Sequence, residues 1–322
     1  MEDGVFGERS TQMQVVTDPA QLRSWRNCWV SIGNFDGVHR GHRAMLSRLT
    51  ERAAEHRARS LVFTFDPSPL AVLHPPAAPP ALTTRERKLE LLATTGVDGV
   101  LVYPTDAALL SLTDAEFFQQ MLIEQLDVAG LIEGPNFFFG RGRTGSIQTL
   151  AEYCVRMQRG LEIVPPLAWQ DRMVSSTEIR GRLLDGEVAE ANELLDSRYR
   201  LTGIVGSGAK RGRTIGFPTA NLEQVATVVP APGVYAGRAL AEGKWWTAAM
   251  NVGPNPTFQE TRQKLEVHLL GYSGDLYGQP VSFEFWNRLR DIHKFAGLEE
   301  LIAQLNRDLA ATRELVESGA AR

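Results

Sequence analysis

Two of the chain's six histidines, His39 and His42, stand three residues apart in the stretch SIGNFDGVHRGH, residues 31–42. That spacing puts both imidazoles on one face of a first helical turn. The free N–H groups and dipole of a helix start already favour an anion. Two ring donors would converge on the same spot. Gly33, Gly37 and Gly41 let the backbone come close to phosphate oxygens that a side chain would hold off. Asp36 either caps the turn or faces a metal ion. A lone His-x-x-His pair also suits a solvated helix start. The full run G-x-F-D-G-x-H-x-G-H, which includes Phe35 and follows the apolar segment CWVSIG, is far more specific for phosphate.

A second cluster lies at GSGAKRGRTIGFPTANLE, residues 206–223. Gly206 and Gly208 with Lys210, Arg211 and Arg213 suit a phosphate-binding loop, although a β-turn with solvated charges has the same composition. After Gly216 and Pro218 come Thr219 and Asn221. They are two apart on a segment entering a strand, so their side chains share a face. Both offer neutral oxygens of the kind that hold Mg2+ alongside a substrate's phosphates. Downstream, KLEVHLL points Leu265, Val267 and Leu269 to one side and Glu266 and His268 to the other. An outward carboxylate on a small barrel is ordinarily just solvated. Two further stretches stand out. GPNFFFGRGRTG carries Asn136, and Ser175-Ser176-Thr177-Glu178-Ile179-Arg180 on its own reads as a helix N-cap and a turn.

The elements that must position these residues change character near residue 198. Before it, CWVSIG, SLVFTF, GVLVYP, AGLIEG and LEIVPP read as buried strands alternating with helices. Thr83-x-x-Glu86 and Thr113-x-x-Glu116 fit capping boxes at two helix starts. Such alternation implies a parallel sheet with right-handed crossovers. After residue 198, five strands separated by Gly- and Pro-bearing turns suggest a small antiparallel barrel, closed by a final amphipathic helix. The expected division is an α/β domain over 14–185, a linker over 186–197 and a barrel domain over 198–317.

Composition bounds the function. The 322 residues carry 34 basic and 38 acidic side chains, a net charge of −4. No global field attracts nucleic acid, so an anionic ligand must be held by local groups. Cys28 and Cys154 lack the spacing of a redox or metal motif and read as reduced thiols of a cytoplasmic protein. No apolar run long enough to span a membrane is present, and no signal peptide precedes the first strand.

The combined motifs resemble those of the bifunctional riboflavin kinase/FMN adenylyltransferases, the prokaryotic FAD synthetases. The glycine–histidine run, the Asn-Phe stretch and S-S-T-E-I-R match the nucleotidyltransferase half. G-F-P-T-A-N-L, NVGPNPTF and SGDLYG match the kinase half. The resemblance implies a Rossmann-like nucleotidyltransferase domain followed by a six-stranded barrel and a helix. It implies ATP, Mg2+ and the flavins riboflavin, FMN and FAD as cofactor, substrates and products. Glu266 would be the kinase's base, with Asn251 and Arg290 on the flavin. Ser175–Arg180 would be a flexible loop closing over ATP with Arg180 on phosphate. Three positions depart from the family pattern: Ser68 replaces a histidine, Phe138 a polar residue and Ile292 an acidic one. The first two leave a rival reading, an active kinase whose N-terminal half binds flavin nucleotide without transfer. A different nucleotidyltransferase with an accessory barrel and a non-enzymatic flavin store are weaker rivals. A weak homo-oligomer is left open.

Overall fold

The computed structural model describes residues 12–207, 216–254 and 264–319. Two compact units emerge. One runs up to Pro79 and from Arg85 to Met173, and the other comprises Pro80–Thr84 and the chain from Val174 onward.

The first unit is built on a six-stranded parallel sheet: β1 (Gln14–Val16), β2 (Trp29–Ile32), β3 (Ser60–Asp66), β4 (Gly99–Pro104), β5 (Gly130–Glu133) and β6 (Gly160–Ile163). The order is β1-β4-β3-β2-β5-β6. All five runs expected as strands are strands. Their continuous Val/Leu/Ile/Phe content fits a sheet covered on both faces. Alternate residues feed two separate cores, Val30, Leu61 and Phe63 on one face and Trp29, Val62 and Val100 on the other. Helix α1 (Arg40–Glu55) buries Leu46, Leu49 and Ala53, the i, i+3, i+7 stripe of an amphipathic helix. The Trp29 ring lies across two neighbouring strands. A Cβ at Gly130 or Gly160 would come within 2.7 or 2.6 Å of it, so both positions must be glycine. Thr113 and Glu116 form the reciprocal capping box their spacing predicted. Helix α2 (Arg85–Ala93), helix α3 (Ile147–Arg156) and the helical turns Phe117–Gln125, which bury Phe117, Phe118, Met121 and Leu122, pack on the sheet.

From β2 the chain steps to β3 and β4 on one side and later to β5 and β6 on the other. The direction of winding therefore reverses between β2 and β5. In open α/β sheets a ligand crevice lies outside the carboxyl ends of the strands at such a reversal.

The second unit starts with helices α4 (Ser176–Leu184) and α5 (Val188–Leu195). The expected linker at 186–197 is therefore corrected. Val188, Ala191, Leu194 and Leu195 bury one face of α5. Asn192, also buried, donates to the Phe285 carbonyl at 2.9 Å and accepts from Tyr199 N–H at 2.7 Å. A closed antiparallel barrel follows: β7 (Arg200–Gly206), β8 (Ala220–Glu223), β9 (Gly233–Ala241), β10 (Lys244–Gly253), β11 (Lys264–Leu269) and β12 (Pro280–Arg290). The order round the barrel is β7-β8-β11-β10-β9-β12. Strand β8, four residues long, is the one that alternation alone does not reveal. Glu284, 3% exposed, is clamped between Arg200 at 2.8 Å and Arg238 at 2.7 Å on the two flanking strands. The chain closes with helix α6 (Leu298–Gly319).

Candidate active sites

The glycine–histidine run links β2 to α1 at the carboxyl end of the sheet. Its backbone is tightly wound: Phe35, Gly37 and Val38 all have positive φ, at 47°, 84° and 43°. A β-branched residue in that region is strained. Burial explains why it persists here, because Phe35 and Val38 are both sunk in the core, 1% and 0% exposed. The two apolar anchors force the loop to turn so that His39 becomes the N-cap of α1. Its Nδ1 accepts the His42 N–H at 3.3 Å. An Nδ1 that accepts carries no proton, so the neutral ring offers Nε2–H as a donor. The His39 and His42 rings stack with centroids 3.6 Å apart. Burial, the His39 ring and Lys88 hold the pKa of His42 well below the usual histidine range. Its Nδ1 is buried without a partner. Gly33, Asp36, Gly41 and His42 are half-buried and Gly37 is buried around this start of α1.

Lys88, on α2, was not singled out from sequence. Its ammonium donates to the carbonyl of Asn34 at 3.2 Å and to Thr64 Oγ1 at 3.4 Å, at the carboxyl ends of β2 and β3. Desolvation lowers its pKa, while Asp36 and Asp66 act in the opposite sense. A cation beside the helix start adds to the anion-binding field. No sequence pattern marks it, because α2 lies some fifty residues downstream of the loop it meets.

Asn136 sits exposed in the turn after β5. Phe139 is buried in the core, and its ring stacks on Phe137 with centroids 5.5 Å apart. Ser175–Arg180 is a helix start rather than a loop. Ser175 caps α4 by accepting the Glu178 N–H at 3.2 Å, Ser176 and Thr177 form the first turn, and Arg180 Nε donates to the Pro80 carbonyl at 2.8 Å. These four residues belong to the second unit.

In the barrel, register does what sequence spacing could not. Gly206 pairs with Asn221, Asn221 with Glu266, Glu266 with Asn251, Asn251 with Val234 and Val234 with Arg290. Five expected site residues thus stand on one rung around the barrel. Directly paired residues project to the same face, so Glu266 lies between the amides of Asn221 and Asn251. The burial alternation of β11, with Leu265, Val267 and Leu269 inward, puts Glu266 on the outer face as the sequence pattern predicts. Asn251 Nδ2 is buried without a hydrogen-bond partner.

Pro218 and Thr219 line a cavity of about 300 Å³ with Val267, Leu269, Tyr272 and Tyr277. That is the lower end of the size range of small-molecule sites. His268 Nδ1 lies 2.7 Å from the Pro218 carbonyl. A carbonyl only accepts, so the ring donates and pins the segment that carries Thr219 and Asn221. Arg290 is tied to the closing helix. Its guanidinium grips the Asp308 carboxylate of α6, with Nε at 3.0 Å and Nη2 at 2.8 Å from Oδ2. Gly208, Lys210 and Arg213 lie outside the described residues. Gly216 is an exposed turn residue with φ +87°.

Residues 21–178 match the family FAD synthetase, and residues 195–316 match the family Riboflavin kinase. A bifunctional riboflavin kinase/FMN adenylyltransferase of Escherichia coli (strain K12) is 39% identical over 290 residues, covering 89% of this chain and 92% of that protein. Its counterpart in Pseudomonas fluorescens is 38% identical over 312 residues, covering 96% and 100%. The chain belongs to this bifunctional family. A crystal structure from Streptococcus pneumoniae, named a macrolide-efflux protein, has the same architecture. It matches with a TM-score of 0.81 at 30% identity, covering 94% of this chain and 98% of that one. Among the described residues here, no helix is long and apolar enough to cross a membrane.

The three departures from the family pattern have local explanations. Ser68 caps the short helix Pro69–Leu73, its hydroxyl accepting the Ala71 N–H at 3.4 Å. Phe138 is 46% exposed, and the Arg143 guanidinium lies 4.7 Å from its ring centroid. The Ile292 side chain occupies the space that a Cβ at Gly253 would fill. None of the three breaks the backbone that carries the histidine pair or the rung.

Proposed function

We propose that the barrel unit phosphorylates riboflavin to FMN with ATP, and that the α/β unit adenylylates FMN with a second ATP, giving FAD and pyrophosphate. The observation that carries the first step is the rung Asn221–Glu266–Asn251, together with Thr219, two residues before Asn221, in the lining of a cavity. The stacked imidazoles at the start of α1 carry the second.

In the kinase, the 5′-hydroxyl of riboflavin attacks the γ-phosphorus of ATP, and the β–γ bridging bond breaks to release ADP. Glu266 accepts the hydroxyl proton as the oxygen bonds to phosphorus. The unpartnered Nδ2–H of Asn251 donates to the substrate oxygen or to the transferred phosphoryl group, satisfying an amide that is otherwise buried at a cost. The adenine moiety takes the cavity under Tyr272 and Tyr277. Thr219 and Asn221 offer adjacent hard oxygen donors, which fit Mg2+; the ion supplies neutralisation of phosphate charge. His268 keeps those two oxygens in place through Pro218.

In the adenylyltransferase, the FMN phosphate attacks the α-phosphorus of ATP and the α–β bridging bond breaks, releasing pyrophosphate. The nucleophile is already ionised, so no strong base is needed. Placement and charge stabilisation supply the rate. His39 Nε2–H, the neutral His42 ring, the N–H groups opening α1 and Lys88 all favour the extra negative charge of the transition state.

The substrates are thus small molecules. We place the protein in the cytosol, unattached to membrane or nucleic acid. Its two cysteines suit a reducing compartment. Both are free and buried, and burial pushes their thiols up to about 12 for Cys28 and about 11 for Cys154. The test is a time course with riboflavin, ATP and magnesium, resolved by chromatography. FMN should rise first and FAD follow. FMN that accumulates without FAD, even with fresh ATP, refutes the second step; no FMN refutes the first.

A further inference from the structure

Glu133 ends β5 and is 1% exposed, yet no step above uses it. One hydrogen bond defines its place: Ile32 N–H donates to Glu133 Oε1 at 2.7 Å. Strands β2 and β5 are in register only at Trp29–Gly130 and Val30–Leu131. On its other edge β2 stays bonded to β3 as far as Gly33, whose N–H reaches the Phe63 carbonyl at 3.0 Å. Ile32 N–H therefore points towards β5 just where the two strands part, and a side-chain oxygen takes the place of the missing backbone carbonyl.

This is the reversal point of the sheet. The residue after Ile32 is Gly33, which opens the loop to His39 and His42. The residue after Glu133 is Gly134, which opens the turn carrying Asn136. Both nucleotide-binding stretches leave the sheet at the ends of this single side-chain bond. Burial raises the pKa of Glu133 well above the ordinary carboxylate range, and only the Ile32 N–H opposes that shift. Burial thus disfavours the charged carboxylate at this place under an anionic ligand.

We propose that Glu133 is a positioning residue for adenylyl transfer, a side-chain tie that sets the spacing of the histidine loop and the Asn136 turn across the crevice floor. The proposal rests on the adenylyltransferase reading of this unit, which the wild-type protein must first satisfy by forming FAD from FMN and ATP. A tie acts through alignment, and misplacement of about 1 Å costs on the order of a hundredfold in rate.

The test compares Glu133→Gln, which keeps a neutral acceptor for Ile32 N–H, with Glu133→Met, which fills the volume and removes the acceptor. In the full chain, Glu133→Met should lower kcat for FAD formation at least tenfold, with the KM for ATP changed less than about threefold. Glu133→Gln should stay within about threefold of wild type. Kinase activity of both variants should be unchanged and serves as an internal control. A kcat for Glu133→Met within threefold of wild type overturns the proposal, as does a Glu133→Gln variant impaired as severely as Glu133→Met. If Glu133→Met does not fold, Glu133→Gln decides alone: retained kcat supports the tie, and a loss above tenfold refutes it.

Discussion

Replacing Glu266 by glutamine probes the kinase reading with the smallest disturbance. Glutamine has the same length and stays between Asn221 and Asn251 on the rung. It sits on the outer face of β11, with the buried Leu265 and Val267 untouched. Packing and fold should therefore survive, and only proton acceptance is lost. A positioned general base contributes about 10²–10⁴-fold. At 1.36 kcal/mol per tenfold, that is roughly 2.7–5.4 kcal/mol on the barrier. The assay follows FMN from riboflavin and ATP under saturating magnesium, with FAD from added FMN as a parallel readout in the same sample. FMN formation should fall a hundredfold or more while FAD formation stays within about twofold. An FMN rate within threefold of wild type would remove Glu266 from the mechanism and leave its place on the rung without chemical meaning.

Four further outcomes are expected. Arg290→Met strands Asp308, 5% exposed, without its counter-charge; losing one partner of a buried pair costs about 3–5 kcal/mol, read as a lower urea midpoint for the barrel unit. Asn251→Ala should raise the KM for riboflavin or lower the kinase kcat at least tenfold and leave the adenylyltransferase alone, which steady-state kinetics of both reactions will check. The pKa of His42 is depressed in the folded protein, so the unfolded chain takes up a proton near pH 6.5 that the native unit refuses. Stability of the α/β unit should thus fall as pH drops below about 6.5, and His42→Asn should flatten that slope in denaturant titrations at pH 5 and 7. Gly237→Ala would drive a Cβ into the Glu284 carbonyl at an irregular step of the β9–β12 ladder; a loss of about 1–3 kcal/mol is expected, measured by thermal unfolding.

Much of this molecule is legible in its sequence, for reasons that differ by element. The parallel strands show because their runs are apolar on both faces. The long barrel strands show through alternation and turns. Strand β8 shows only as a segment entering a strand, because four residues, A-N-L-E, are too few to display a period. Helix α5 resembles a linker in sequence because its apolar stripe is only eight residues long and begins just after Gly186. The histidine pair and Glu266 could be named because their chemistry is local and their motifs long. Lys88 and Glu133 could not, since each meets its site through tertiary packing from a distant segment. The ion pair of Arg290 is not legible either, because a surface arginine and a buried anchor look alike until Asp308 is seen beside it.

The barrel rung also limits how this enzyme can change. Its five site residues come from five separate strands, and each holds its face only because of its parity along that strand. Deleting or inserting one residue between a rung position and its nearest bonded neighbours would exchange outer and inner faces for the rest of that strand. Glu266 would then point into the core and Val267 away from it. Lengthening the loops leaves the rung intact, so variation in this half of the protein should collect in loop length, while strand lengths near the rung stay fixed.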